Sequence, residues 1–152
     1  MEKENRGQAP FIYIGEIRTP YDDSNCPRFA DESLKDEARI KVFPEFQPGL
    51  KFLEKFSHLF VLFHLDRPHQ EPSLIAHPPK ANGLEVGVFA SCSPSRPNPL
   101  GLSIVRLKRL ENNELIVSAL DAYDHTPLLD LKPYFRGYDC KVDANNGWMD
   151  PP

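Results

Sequence analysis

The chain has 152 residues, 40% of them hydrophobic and 26% charged, with a formal net charge of −4. These proportions exclude a disordered polyelectrolyte, and the negative balance excludes a broad, non-specific nucleic-acid binder, which would be basic overall. Sixteen prolines, about twice the usual share, argue against long helices, since each interior proline costs roughly 3 kcal/mol there.

The length suits one domain with a real core. Cys26, Cys92 and Cys140 lie far apart without C-x-x-C spacing, so neither a disulfide scaffold nor a structural zinc site is indicated. No N-terminal apolar segment resembles a signal peptide, and no apolar run approaches the roughly 18 residues of a membrane helix. The expected setting is the cytoplasm, with no membrane and no metal.

Residues 1–10 (MEKENRGQAP) are polar and read as a loose arm. FIYIGEIR (11–18) alternates and stops at Thr19-Pro20, as a strand does; residues 21–37 have no sustained period and read as a long loop. ARIKVFPEF (38–46) begins as a strand. GLKFLEKF (49–56), after Pro48, places Leu50, Leu53 and Phe56 on one face of a short helix. HLFVLFHL (58–65) is apolar throughout, as a strand covered on both sides would be.

RPHQEPSLIAHPPKANG (67–83) is a proline-rich loop, followed by an expected strand LEVGVFAS (84–91). LGLSIVRLKRL (100–110), ELIVSALDAY (114–123) and LLDLKPYF (128–135) complete six or seven strands. The tail 141–152 is polar except for Trp148 and Met149. Short strands, one short helix and long loops predict a mainly β domain over 11–140, a single small antiparallel barrel or sandwich. No G-x-G-x-x-G or P-loop motif occurs.

The connection ASCSPSRPNPLGLS (90–103) is the most unusual stretch. Pro94, Pro97 and Pro99 restrict their own φ angles and the residues before them, Ser93, Arg96 and Asn98. A pre-ordered loop lowers the entropic cost of binding, and Arg96 and Asn98 offer it donors and an acceptor. The alternative is a rigid corner with Arg96 paired to a nearby carboxylate.

In LDAYDHTPLLDLKPY (120–134), Asp121, Asp124 and Asp130 are three acids beside Thr126 and Lys132. Asp130 and Lys132 share a strand face and suit an ion pair. His58, His64, His69, His77 and His125 lack metal-site spacing, and no G-x-S-x-G elbow occurs. Arg106, Lys108 and Arg109 form a small basic stripe able to meet phosphate or simply to face solvent.

IGEIRTPY, FSHLFVL, GVFASCSPSRPNPLGLS and LDAYDHTPLLDLKPYF stand in the order and spacing of one family. From about Ile14 to Asp139 the chain resembles the TsaA-like, TrmO-type tRNA methyltransferases. The resemblance implies a small barrel that binds S-adenosylmethionine without a Rossmann sheet, as a homodimer with the cofactor near the interface. It also implies methyl transfer to N6 of threonylcarbamoyladenosine beside the tRNA anticodon.

Carried over by position, the cofactor contacts are Pro27, Arg28, Ala30, Asp31, Glu32, Asp66, Arg67, Ser91, Cys92, Arg96, Asn98, Leu102, Asp121, Asp124 and Thr126. Asp121 or Asp124 is the expected proton acceptor, and Arg96, Asn98, Lys132 and Tyr134 the expected substrate contacts. Cys92 stands where the family usually has arginine, Ser95 where it has an aromatic, His125 where it has glycine, and Asp66 where it often has histidine. These departures leave open a different acceptor, or a cofactor-binding barrel without turnover.

Overall fold

Along 58–64 the buried residues Leu59, Val61 and Phe63 alternate with the half-buried His58, Phe60, Leu62 and His64. That alternation is the inside and outside of a barrel wall. The computed structural model describes residues 6–152; the first half of the expected N-terminal arm, residues 1–5, lies outside the described residues. The strands are β1 (Gly15–Arg18), β2 (Glu37–Val42), β3 (His58–His64), β4 (Ile75–Ala76), β5 (Val86–Gly87), β6 (Leu100–Glu111), β7 (Glu114–Ser118) and β8 (Thr126–Pro133).

Six of them close an antiparallel barrel in the order β1-β2-β7-β6-β3-β8, and β4 and β5 form a separate two-stranded ribbon. Pairing of Gly15 with Leu128 and Ile17 with Thr126 shuts the ring. The long strand β6 serves two neighbours: Leu100–Arg106 pair with β3, and Leu107–Glu111 pair with β7 across a register shift. Asn112 and Asn113, both at positive φ, make the tight turn from β6 to β7. Inside lie Ile17, Ile40, Leu59, Val61, Phe63, Val105, Leu115, Val117, Leu120 and Leu128. Gly101 faces this core where a Cβ would stand 2.2 Å from the Phe63 ring, so only glycine fits without repacking.

Five expectations need correction. The strand expected over 11–18 is Gly15–Arg18 alone, because its partner β2 ends opposite Gly15 at Val42, and Phe11, Ile12 and Tyr13 are exposed. The segment 49–56 is not one helix: 3₁₀ turns at Pro44–Leu50 and Leu53–Lys55 are separated by Phe52 at φ 70°. The left-handed backbone at Phe52 breaks the run, yet Leu50, Leu53 and Phe56 still pack on the core. The strand expected over 84–91 shrinks to Val86–Gly87, because its partner β4 is two residues long, and a 3₁₀ turn follows at Val88–Ala90. The strand expected over 114–123 stops at Ser118, where β2 ends opposite it at Glu37. The run 58–65 is covered fully on its inner face alone.

The pairing also sorts the loops. Residues 19–36, 65–99 and 119–125 all leave one end of the barrel, here the loop end, whereas 43–57 and the Asn112-Asn113 turn cap the far end.

Candidate functional site

Three of the expected segments therefore leave the loop end, and side-chain bonds tie the start of 65–99 to the 121–126 loop. Arg67, from the second loop, donates through Nη2 to the Asp124 carbonyl at 2.7 Å and to Thr126 Oγ1 at 3.2 Å, with Nε 3.2 Å from Asp66. Its guanidinium lies 5.4 Å from the centre of the Tyr123 ring, and the Tyr123 hydroxyl shares a 2.9 Å hydrogen bond with His69 Nε2. Thr126 Oγ1 donates to the Tyr123 carbonyl at 2.6 Å, closing the third loop on itself.

The two acids proposed for proton transfer have opposite surroundings. Asp121 is half-buried and accepts a hydrogen bond from Ser103 Oγ at 2.6 Å; burial raises its pKa against that bond. Asp124 accepts from Arg18 Nε at 2.8 Å and from the Thr19 amide at 3.1 Å, and Arg18 holds its pKa below the ordinary carboxylate value. Burial and the neighbouring Asp121 charge push the Cys26 thiol to about 11, so it stays protonated at neutral pH.

In the first loop Asp31 pairs through its backbone with Ala119 and accepts from Ser33, while Ala30 packs on the core. Pro27 is half-buried and Arg28 exposed. Glu32 turns to the outer wall, 3.4 Å from Arg106 and 3.3 Å from His58. On the proline loop, Arg96 Nη1 donates to the Ser91 carbonyl at 2.8 Å and the Ser93 carbonyl at 3.2 Å. The arginine thus braces its own loop through backbone acceptors and is not paired with a carboxylate. Ser91 Oγ donates to the Val88 carbonyl, and Ser95, buried, donates to the Gln70 carbonyl at 3.3 Å. Cys92 and Asn98 are exposed.

Other expected residues stand apart. Leu102 points out of the β6 wall and is 63% exposed. Lys132 lies six residues beyond Thr126, about 20 Å along the strand, paired with Asp130 at 3.2 Å as the spacing predicts. The Tyr134 ring packs against Phe60 and His58 on the outer wall. The basic stripe is neutralised: Arg106 meets Glu32, Lys108 meets Glu37, and Arg109 meets Glu37 and Glu111.

Residue patterning alone missed four contributors. Ser103 had a signal, since it shares the inward register of β6 with Gly101 and Val105. Arg18, Tyr123 and His69 had none, because their partners are distant in sequence. An open cleft of about 510 Å³ adjoins the loop end, lined by Arg18, Thr19, Lys35, Arg39 and Asp124. A second, of about 300 Å³, lies at the far end among Phe46, Phe52, Phe56 and Asp130. Among the described residues no group of metal-ligating side chains occurs, and no helix is long and apolar enough to cross a membrane.

This architecture and chain pattern recur in known proteins. A probable S-adenosyl-L-methionine-binding protein of Archaeoglobus fulgidus is 39% identical over 90% of this chain, which covers 37% of that protein. One from Pyrococcus abyssi is 38% identical over 90% of this chain and 74% of its own length. A tRNA (adenine(37)-N6)-methyltransferase of Mus musculus is 37% identical over 88% of this chain, which spans 30% of that enzyme. The crystal structure of TrmO from Pseudomonas aeruginosa superposes with a TM-score of 0.72 at 30% identity, covering 95% of this chain and 64% of that one. Residues 16–140 match the tRNA-methyltransferase O N-terminal domain, and the chain belongs to that family.

Proposed function

We propose that the protein is an S-adenosylmethionine-dependent methyltransferase that modifies N6 of threonylcarbamoyladenosine beside the tRNA anticodon. One observation carries the reading: a half-buried carboxylate, Asp121, stands at the barrel end from which the three expected loops leave. The donor set suits an amino-acid sulfonium. Asp66 and Asp121 match its positive groups, Arg67 matches its carboxylate, and the proline-stiffened backbone of 91–99 offers a pre-ordered wall. When bound, the cofactor supplies a methyl carbon already activated by the positive sulfur.

This chain's residues then need mainly to hold the acceptor nitrogen in line at about 3–3.5 Å, since positioning supplies much of such a rate. Asp121 would take the N6 proton as the N–CH3 bond forms and the donor's S–CH3 bond breaks to leave a neutral thioether, because burial raises its affinity for a proton. Asp124, held ionised by Arg18, orients the loop instead.

The site is open in a single chain, with Cys92 and Asn98 exposed. Beside it, the outer face of β3 and β6 presents Leu100, Leu102 and Ile104 at 44%, 63% and 46% exposure, next to Phe60 and Leu62. A contiguous apolar face of this kind supports a homodimer in which a second copy covers the site. The setting is cytoplasmic, where charged tRNA and cofactor occur together.

Two side chains favour a second reading with the same cofactor and a different acceptor. Cys92 cannot supply an arginine's charge-assisted bonds, and Ser95 is buried against Gln70, where an aromatic would not fit unchanged. Calorimetric titration with S-adenosylmethionine, then incubation with threonylcarbamoylated tRNA and nucleoside analysis, decides. Methylated threonylcarbamoyladenosine is expected. Binding without that product moves the proposal to another acceptor or to a barrel without turnover, and no binding overturns both readings.

A further inference from the structure

The excursion 65–99 carries much of the proposed cofactor wall, yet its only regular structure is the ribbon β4–β5 and short 3₁₀ turns. A two-stranded ribbon is marginal in water by itself, so the excursion needs fastening. At its start Arg67 and His69 tie it to the 121–126 loop. At its other end the fastening comes from the C-terminal tail, beyond the part of the chain that matches the family.

Trp148 is half-buried, and its Nε1 donates to the Ala90 carbonyl at 2.8 Å. Ala90 immediately precedes Ser91, whose own carbonyl receives Arg96. The indole therefore grips the residue from which the proline loop springs. The 3₁₀ turn Gly147–Met149 that presents it also packs against the turn Pro79–Ala81, and Lys80 there lies 5.6 Å from the Phe29 ring centre in the first loop. The hook is self-closed: Asp150 accepts from the Asn146 amide and from its side-chain nitrogen, both at 3.0 Å.

We propose that Trp148 is a positioning residue: the tail clasps the root of the proline loop and sets that loop's geometry for cofactor binding. This rests on the methyltransferase reading for its ligand, but not for the clasp. The clasp acts through Ala90 and Ser91, not by touching the reacting groups, so its loss weakens cofactor binding more than turnover at saturation.

The full chain is compared with Trp148→Phe, which keeps a ring but loses the donor, and with Trp148→Ala. Two readouts are used: amide hydrogen exchange across 88–99 without ligand, and calorimetric titration with S-adenosylmethionine. Both variants are expected to exchange severalfold faster at Ser91, Ser93 and Arg96, with β3 and β7 amides unchanged. The Kd is expected to rise about fivefold for the phenylalanine and more for the alanine, and an unchanged Kd overturns the role in cofactor binding. Wild-type exchange at the loop in both variants, or faster exchange throughout the barrel, overturns the clasp. If wild type binds no S-adenosylmethionine, the methyltransferase reading falls, while the exchange measurement still decides the clasp.

Discussion

Ser103 Oγ donates to the Asp121 carboxylate at 2.6 Å, joining the inward face of β6 to the loop that leaves β7. Burial raises the Asp121 pKa above its ordinary 3.8, and this bond opposes the rise. The folded state then holds its proton to higher pH than the unfolded chain does, so ionisation disfavours the fold as pH climbs from 3.8 through the folded value. Asp121→Asn should lower methyl transfer about 10²–10⁴-fold while leaving neutral-pH Tm equal or higher. That gap should close below pH 3.8. Ser103→Ala should move the acid limb of the pH–rate profile upward; a thermal-melt series and a rate profile check both.

Arg18 and Asp124 give the reverse sign. The Arg18 hydrogen bond lowers the Asp124 pKa, so the pair stabilises the fold above 3.8 and loses that contribution as pH falls through the lowered value. Arg18→Gln should lower the urea midpoint at pH 7 and converge on wild type in acid. A midpoint difference independent of pH would refute the pairing.

Gly101→Ala should destabilise by about 1–3 kcal/mol, the usual cost of overpacking a core. The added carbon meets the Phe63 ring, so Phe63→Leu in the same chain should recover part of the loss. Urea unfolding of the single and double variants measures this.

Ile104→Glu places a charge on the apolar outer face of β3 and β6. Light scattering after size exclusion should show the wild type as a dimer and the variant as a monomer, with cofactor affinity falling in parallel. A wild-type monomer at micromolar concentration would remove the second copy from the proposed site.

The barrel wall was legible because its signal is local. The alternation in 15–18, 58–64 and 100–110 marks inside and outside whatever the strands pair with, and the two asparagines mark their own turn. The strand expected over 84–91 was overestimated because an apolar run does not say how long its partner is, and that partner, β4, fell in a stretch read as loop. Asp121 and Asp124 could be picked out as acids, but their difference depends on Ser103 and on Arg18, the latter separated from Asp124 by 106 positions. The proline loop's stiffness was legible too. The direction of Arg96 was not, because its acceptors are backbone carbonyls that every residue carries.

Closure of the ring by β1 against β8 has a consequence for biosynthesis. Gly15 waits for Leu128, so the circle stays broken until β8 has left the ribosome. Joining ends so remote in sequence carries a large loop-closure entropy and makes for slow folding. During translation the newborn chain exposes an open sheet edge until β8 arrives.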